Sequence, residues 1–248
     1  MIQCWSCGGG TQSAAIAALI CQGRLPKPNL AVIIDTEREK ASTWRYLNDV
    51  LYPNLSNVGV VIEKVAKSDF TNVDLYGGED DKTLLIPAFT TINGGIGKKP
   101  AFCSGEWKRD VIHRWLRSKG VTEAQCWVGI SLNEMDRIRA PRLKWVTERY
   151  PLVFDVPMSK GECIRLVMDV MGWPKPPRSA CWMCPNLTDE EWREMDPGDF
   201  DKAIHFEREI RQKDKFVFLH QIAKPLDQVD FMDRQGKLYG CESGYCFV

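Results

Sequence analysis

The chain has 248 residues, 44% of them hydrophobic, with 33 Lys and Arg against 33 Asp and Glu. Zero formal net charge argues against gripping nucleic acid by bulk charge, no run approaches the ~18 apolar residues of a membrane span, and no basic-then-apolar leader opens the sequence. Ten cysteines without a secretion signal favour metal ligation, redox chemistry or reactive thiols in a reducing, cytoplasmic setting over a disulfide framework.

The opening reads as strand, glycine loop and helix. Met1–Trp5 suits a buried strand, Ser6-Cys7-Gly8-Gly9-Gly10-Thr11-Gln12-Ser13 forms the loop, and the alanine-rich run 14–20 favours a helix that Gly23 and Pro26 end. Leu30–Ile34 is a second buried strand, closing a βαβ unit, with Asp35 and Thr36 at its carboxyl end, where α/β sheets bind ligands. Further on, the pattern predicts strands at 58–65 and 126–130 and helices at 108–117, 162–171 and 200–213, with Thr188 capping an acidic helix start. Residues 70–100, rich in Gly and Asp, read as an irregular or mobile insertion near the site. The expected fold is α/β, a mainly parallel sheet with helices on both faces over 1–174, followed by a C-terminal cysteine-bearing lobe over 175–248.

Three consecutive glycines before a helix let backbone N–H groups approach a phosphate, and the helix N-terminus adds partial positive charge. Thr11 and Ser13 add hydroxyl donors. The P-loop lysine is missing and the spacing is not GxGxxG, so neither of those nucleotide motifs applies; a tight turn without ligand is the plain alternative.

The loop resembles the PP-loop of the adenine nucleotide alpha-hydrolase superfamily, S-x-S/G-G-G-x-D-S, through Ser6, Gly9, Gly10 and Ser13, with Gln12 at the usual aspartate. The Gly-Gly-Gly-x-Gln-Ser form is similar to the phage-type PAPS-reductase-like branch, related to the DndC proteins of DNA phosphorothioation. Further likenesses follow in order: Asp35-Thr36-Glu37 with Glu39 and Thr43; Phe102-Cys103-Ser104 with Lys108; Val128-Gly129-Ile130-Ser131 with Glu134 and Arg137; and Ser179-Ala180-Cys181-Trp182-Met183-Cys184-Pro185. The resemblance implies an enzyme that binds ATP with Mg²⁺, cleaves it between the α- and β-phosphates, and adenylates a substrate for sulfur transfer. It implies nucleotide contacts from Ser6, Gly8–Ser13, Asp35–Glu37, Gly129 and Ile130, and catalytic roles for Lys108, Glu134 and Arg137, with Arg178 a further anion-binding candidate. A nucleic-acid substrate and a partner protein or sulfur donor are the implied partners.

The same resemblance implies a [4Fe–4S] cluster on Cys103, Cys181 and Cys184, completed by Cys241 or Cys246. Spacing alone suits zinc on Cys181, Cys184, Cys241 and Cys246 equally well, and free thiols remain an alternative. Cys4, Cys7, Cys21, Cys126 and Cys163 read as small core residues, and His220 as a lesser site candidate. Three rival functions stand: a PAPS or APS reductase, a nucleotide-binding regulatory or defence protein, and a zinc-stabilised nucleic-acid-binding module. Such reductases carry an E-C-G-x-H tail. Here Cys241 is followed by Glu242 and neither terminal cysteine precedes a histidine, so the tail cysteines are expected to be ligands or structural.

Overall fold

The computed structural model describes residues 1–77, 83–92 and 94–231. The first elements are β1 (Ile2–Ser6), α1 (Thr11–Cys21), β2 (Leu30–Asp35), α2 (Ala41–Tyr46), α3 (Tyr52–Asn57) and β3 (Ile62–Ala66). Four two-residue strands follow: β4 (Tyr76–Gly77), β5 (Thr83–Leu84), β6 (Phe89–Thr90) and β7 (Gly97–Lys98). The remainder are α4 (Asp110–Ser118), β8 (Ala124–Trp127), β9 (Val146–Arg149), α5 (Lys160–Arg165), α6 (Asp189–Arg193), α7 (Pro197–Lys213) and β10 (Val217–Phe218).

Contacts divide the chain into two compact units. The first takes Met1–Phe70 and Arg109–Ser179; the second takes Thr71–Lys108 and the chain from Ala180. The chain passes between these units three times.

In the first unit five parallel strands run in the order β3-β2-β1-β8-β9. Alternation along the strands sorts the core. Trp5, Ile33 and Trp127 face one side with α1, Leu47, Leu51 and Leu166, and Cys4, Val32, Ile34 and Cys126 face the other with Val111, Trp115 and Leu116 of α4. The expected α/β sheet with helices on both faces is present. Helix α1 is buried almost all round, so its small alanines, rather than an amphipathic stripe, allow close packing on the sheet.

Several expected boundaries move. The strand placed at 58–65 starts at Ile62, because Val58 ends α3 and Gly59 turns at φ +77°. The strand placed at 126–130 spans Ala124–Trp127, since the backbone leaves the sheet at Val128. The sequence reading had no helix over 41–57 and no strand at β9. Tyr52-Pro53 breaks the propensity signal of the first, and the polar sequence Val-Thr-Glu-Arg hides the second.

In the second unit, part of the expected insertion over 70–100 is packed. Leu84, Leu85, Ile86 and Ala88 are buried with Trp107, Trp192 and Phe206, and β6 pairs antiparallel with both β7 and β10. His220 is buried, its Nε2 lies 3.0 Å from Asp189 Oδ1, and its ring meets Phe231 edge-on.

Glu207 of α7 clamps the segment that follows. Its Oε1 accepts the Leu219 N–H at 2.8 Å and its Oε2 the Leu226 N–H at 2.5 Å. Glu207→Ala leaves two buried donors unpaired and is expected to cost roughly 2–5 kcal/mol in denaturant unfolding. Burial raises the Glu207 carboxyl above its usual range. The folded state then holds that proton more tightly than the unfolded chain. Stability contributed through this group declines as pH rises from the ordinary glutamate range through the raised value, and the alanine variant should lack that slope. An unchanged unfolding midpoint in Glu207→Ala would contradict the clamp.

Candidate active site

The first unit places its glycine loop at the carboxyl end of β1, where the order β2-β1-β8 reverses chain direction of travel along the sheet. Cys7 N–H still bonds Val32 O at 2.8 Å, and the chain then leaves the sheet. Gly9 turns at φ +71°, a left-handed conformation that glycine adopts without strain. A Cβ there would stand 2.8 Å from Thr43 Cγ2; one on Gly10 would stand 2.9 Å from the backbone nitrogen of Ser179. The loop is thus held between α2 and the run 177–179, with no room for side chains at its apex.

Ser13 Oγ accepts the Gly8 N–H at 2.8 Å, bracing the loop while its own proton stays available to donate. The first N–H to bond back into α1 is that of Ala14, to Gly10 O at 2.9 Å, and no side chain caps this end. The N–H groups of Thr11, Gln12 and Ser13 precede that bond and carry the positive end of the helix dipole. Thr43 turns its methyl to Gly9, and its hydroxyl is buried without a hydrogen-bond partner among the described residues.

Three expected site residues meet directly. Gln12 Nε2 donates to Glu134 Oε2 at 2.6 Å, and Arg137 Nη1 donates to Glu134 Oε1 at 2.5 Å. Gly129 makes this possible, since a Cβ there would press on Gln12 Cβ at 3.2 Å. Ser131, buried and named from the sequence only as part of the run 128–131, contacts both partners at 3.4 Å. Gln12 at the usual aspartate position has a physical sense here. An amide donor meets the carboxylate where a second carboxylate would repel it.

At the end of β2, Asp35 Oδ1 accepts the Glu37 N–H at 2.7 Å and Asp35 Oδ2 pairs with Lys64 at 2.8 Å. This turn tolerates Glu37 at φ +64°. Glu37 is further held by Ser68 at 2.6 Å and Lys67 at 3.7 Å. Thr36 is fully buried and donates to Glu39 Oε1 at 3.3 Å. Ile130 turns its side chain into a small cluster with Tyr150 and Val153, leaving only its backbone for a ligand. Arg178 is exposed, between Pro177 and Ser179, both of which lie against Gly10. Ser179 itself was read only as part of the cysteine motif, and no local signal marked its contact with the loop.

Lys108 belongs to the second unit, one residue before the chain returns to the first. So do Cys103, Cys181 and Cys184, which pack on one hydrophobic cluster. Cys181 and Cys184 share a turn, through Cys184 N–H to Cys181 O at 3.1 Å. Among the described residues no three His, Cys, Asp or Glu side chains are placed to hold a metal ion. The expected completing ligands, Cys241 and Cys246, lie outside the described residues. Among the described residues Glu134 and Asp35 have both carboxylate oxygens engaged by protein partners. The core reading of the remaining thiols agrees with their burial. Cys4, Cys7, Cys126 and Cys163 are buried, and burial, with Glu162 nearby, pushes the Cys163 thiol up to about 12. Cys21 is only half-buried.

No protein family matches the chain, and no curated protein matches it. Among solved structures it is similar to the U34-tRNA thiolase NcsA from Methanococcus maripaludis with its [4Fe–4S] cluster, at 13% identity and a TM-score of 0.44. The similarity covers 86% of this chain and 66% of that one, so the chain spans just under two thirds of that structure's length. No helix among the described residues is long and apolar enough to cross a membrane.

Proposed function

We propose that the first unit binds an adenine nucleotide with its phosphates on the loop Gly8–Ser13, and that the chain is a PP-loop enzyme of PAPS-reductase-like type that adenylates a substrate for sulfur transfer. The glycine loop carries this reading: a left-handed Gly9, a sterically closed apex and an uncapped start of α1 at the sheet's switch point.

In the proposed reaction an acceptor oxygen forms a bond to the α-phosphorus. The bond from that phosphorus to the bridging oxygen breaks, and its electron pair leaves with pyrophosphate. The N–H groups of Thr11, Gln12 and Ser13 stabilise the charge that gathers on the phosphates, and Arg137, oriented by Glu134, meets the departing anion. Gln12 holds Glu134 without adding charge. A hydrosulfide then attacks the activated carbon, AMP leaves with the carbon–oxygen bonding pair, and the sulfur loses its proton to solvent.

ATP with Mg²⁺ at about 100 times its Kd should stabilise the protein by roughly 2.7 kcal/mol, read as a rise in melting temperature. No rise with ATP, AMP, PAPS or APS would end the nucleotide reading. The [4Fe–4S] cluster on Cys103, Cys181 and Cys184 with a terminal cysteine belongs to the same proposal. Protein purified without oxygen should be brown and contain iron and sulfide, and Cys181→Ser should bleach it. One zinc per chain in a colourless protein would favour the structural-metal alternative instead.

A further inference from the structure

The second unit holds a cavity of about 310 Å³ at the end of α7. Leu84, Ile210 and Val217 form its apolar floor, Tyr76 one wall, and Lys99 and Lys213 its charged edge. Asp214 also lines it and pairs with Lys99 at 3.4 Å, so two ammonium groups face one carboxylate. None of these residues belongs to the glycine-loop site.

The surroundings repeat one chemistry. Lys213 lies 4.5 Å over the Tyr76 ring, Lys98 5.0 Å over Phe89, Arg211 4.6 Å over Phe218 and Lys215 5.1 Å over Phe216. The register explains the grouping: Phe89 stands opposite both Lys98 and Phe218 across β7-β6-β10. Of these pairs Lys213 and Tyr76 line the cavity itself, and a cation and a ring beside an apolar floor fit a base joined to a phosphate, with the other pairs in the same unit as further cationic and aromatic groups. The zero net charge of the whole protein does not weaken this, because the cations are gathered locally.

We infer that the cavity edged by Tyr76, Lys99 and Lys213 seats one nucleotide of a single-stranded nucleic acid, its base on Tyr76 and the apolar floor and its phosphate between the two lysines. The exposed contact of Lys213 on the ring is weaker than base stacking, so an arriving phosphate draws the ammonium off and uncovers Tyr76. The inference deepens the proposed function by naming its acceptor class, and it rests on that reading only for the acceptor's role.

Fluorescence anisotropy with a labelled 12-nucleotide single-stranded RNA, and its DNA counterpart, at low salt tests it on the full chain. Tyr76→Ala should weaken binding about 10- to 100-fold and Tyr76→Phe should keep it. Lys213→Gln, whose exposed side chain is not needed for folding, should lower the slope of log affinity on log salt by about 0.7. The ATP melting shift should be the same in wild type and all three variants. Absence of oligonucleotide binding with an intact ATP shift would overturn this inference alone. So would equal binding by Tyr76→Ala and Lys213→Gln, or equal binding of poly-glutamate at the same site. Loss of the ATP shift in wild type would instead overturn the nucleotide reading and leave the oligonucleotide result to stand by itself.

Discussion

Gly9→Val should abolish the ATP-induced rise in melting temperature and lower the stability of the protein without ATP. Valine is a β-branched residue, and at φ +71° it would be forced into a conformation it rarely adopts. Its Cβ would also stand 2.8 Å from Thr43 Cγ2, so α2 or the loop must shift. Strain and overpacking together cost roughly 2–6 kcal/mol. Ser13→Ala separates the two consequences. It removes the acceptor of the Gly8 N–H without touching the loop apex. It should cost only about 1 kcal/mol of stability while weakening the ATP shift. A Gly9→Val protein that melts like wild type and still responds to ATP would show that the loop does not seat the nucleotide.

Arg137→Ala should lower the rate of pyrophosphate release about 10²- to 10³-fold, the usual loss when one group stabilising transition-state charge is removed. Its effect on stability should be small. The Arg137–Glu134 pair is 41% and 24% exposed, and such pairs contribute about 0–1 kcal/mol. The contrast is the point of the experiment, because a merely structural arginine would move the melting temperature and the rate together. Gln12→Asp tests the same group from the other side. It puts a carboxylate facing Glu134 in place of the amide that now donates to it at 2.6 Å. The variant should be less stable than wild type at low salt, and added salt should narrow the deficit by screening the two charges. A deficit independent of salt would assign Gln12 to packing instead.

The βαβ opening was legible because its signals agree. An apolar strand, three glycines and an alanine-rich run allow little else, and β1, α1 and β2 fall within a few residues of expectation. The meeting of Gln12, Glu134 and Arg137 was half legible. Motif order named all three, but only the parallel pairing of β1 with β8 brings residue 12 to residue 134. The second unit was the least legible. β6 has two residues and owes its place to β10, far along the chain, so nothing local distinguishes it from a loop. Ser131 and Ser179 were legible only as members of motifs: a serine beside a loop has no periodicity to mark its contacts, and both act on residues distant in sequence.

The most direct test of the central claim is a crystal structure with an ATP analogue carrying a methylene bridge between the α- and β-phosphates, which resists cleavage at the proposed bond. The account predicts phosphate oxygens within hydrogen-bond distance of the backbone N–H groups of Gly10 through Ser13, with Arg137 turned toward the β- and γ-phosphates. Density for the analogue anywhere else on the chain, with the loop Gly8–Ser13 empty, would contradict it.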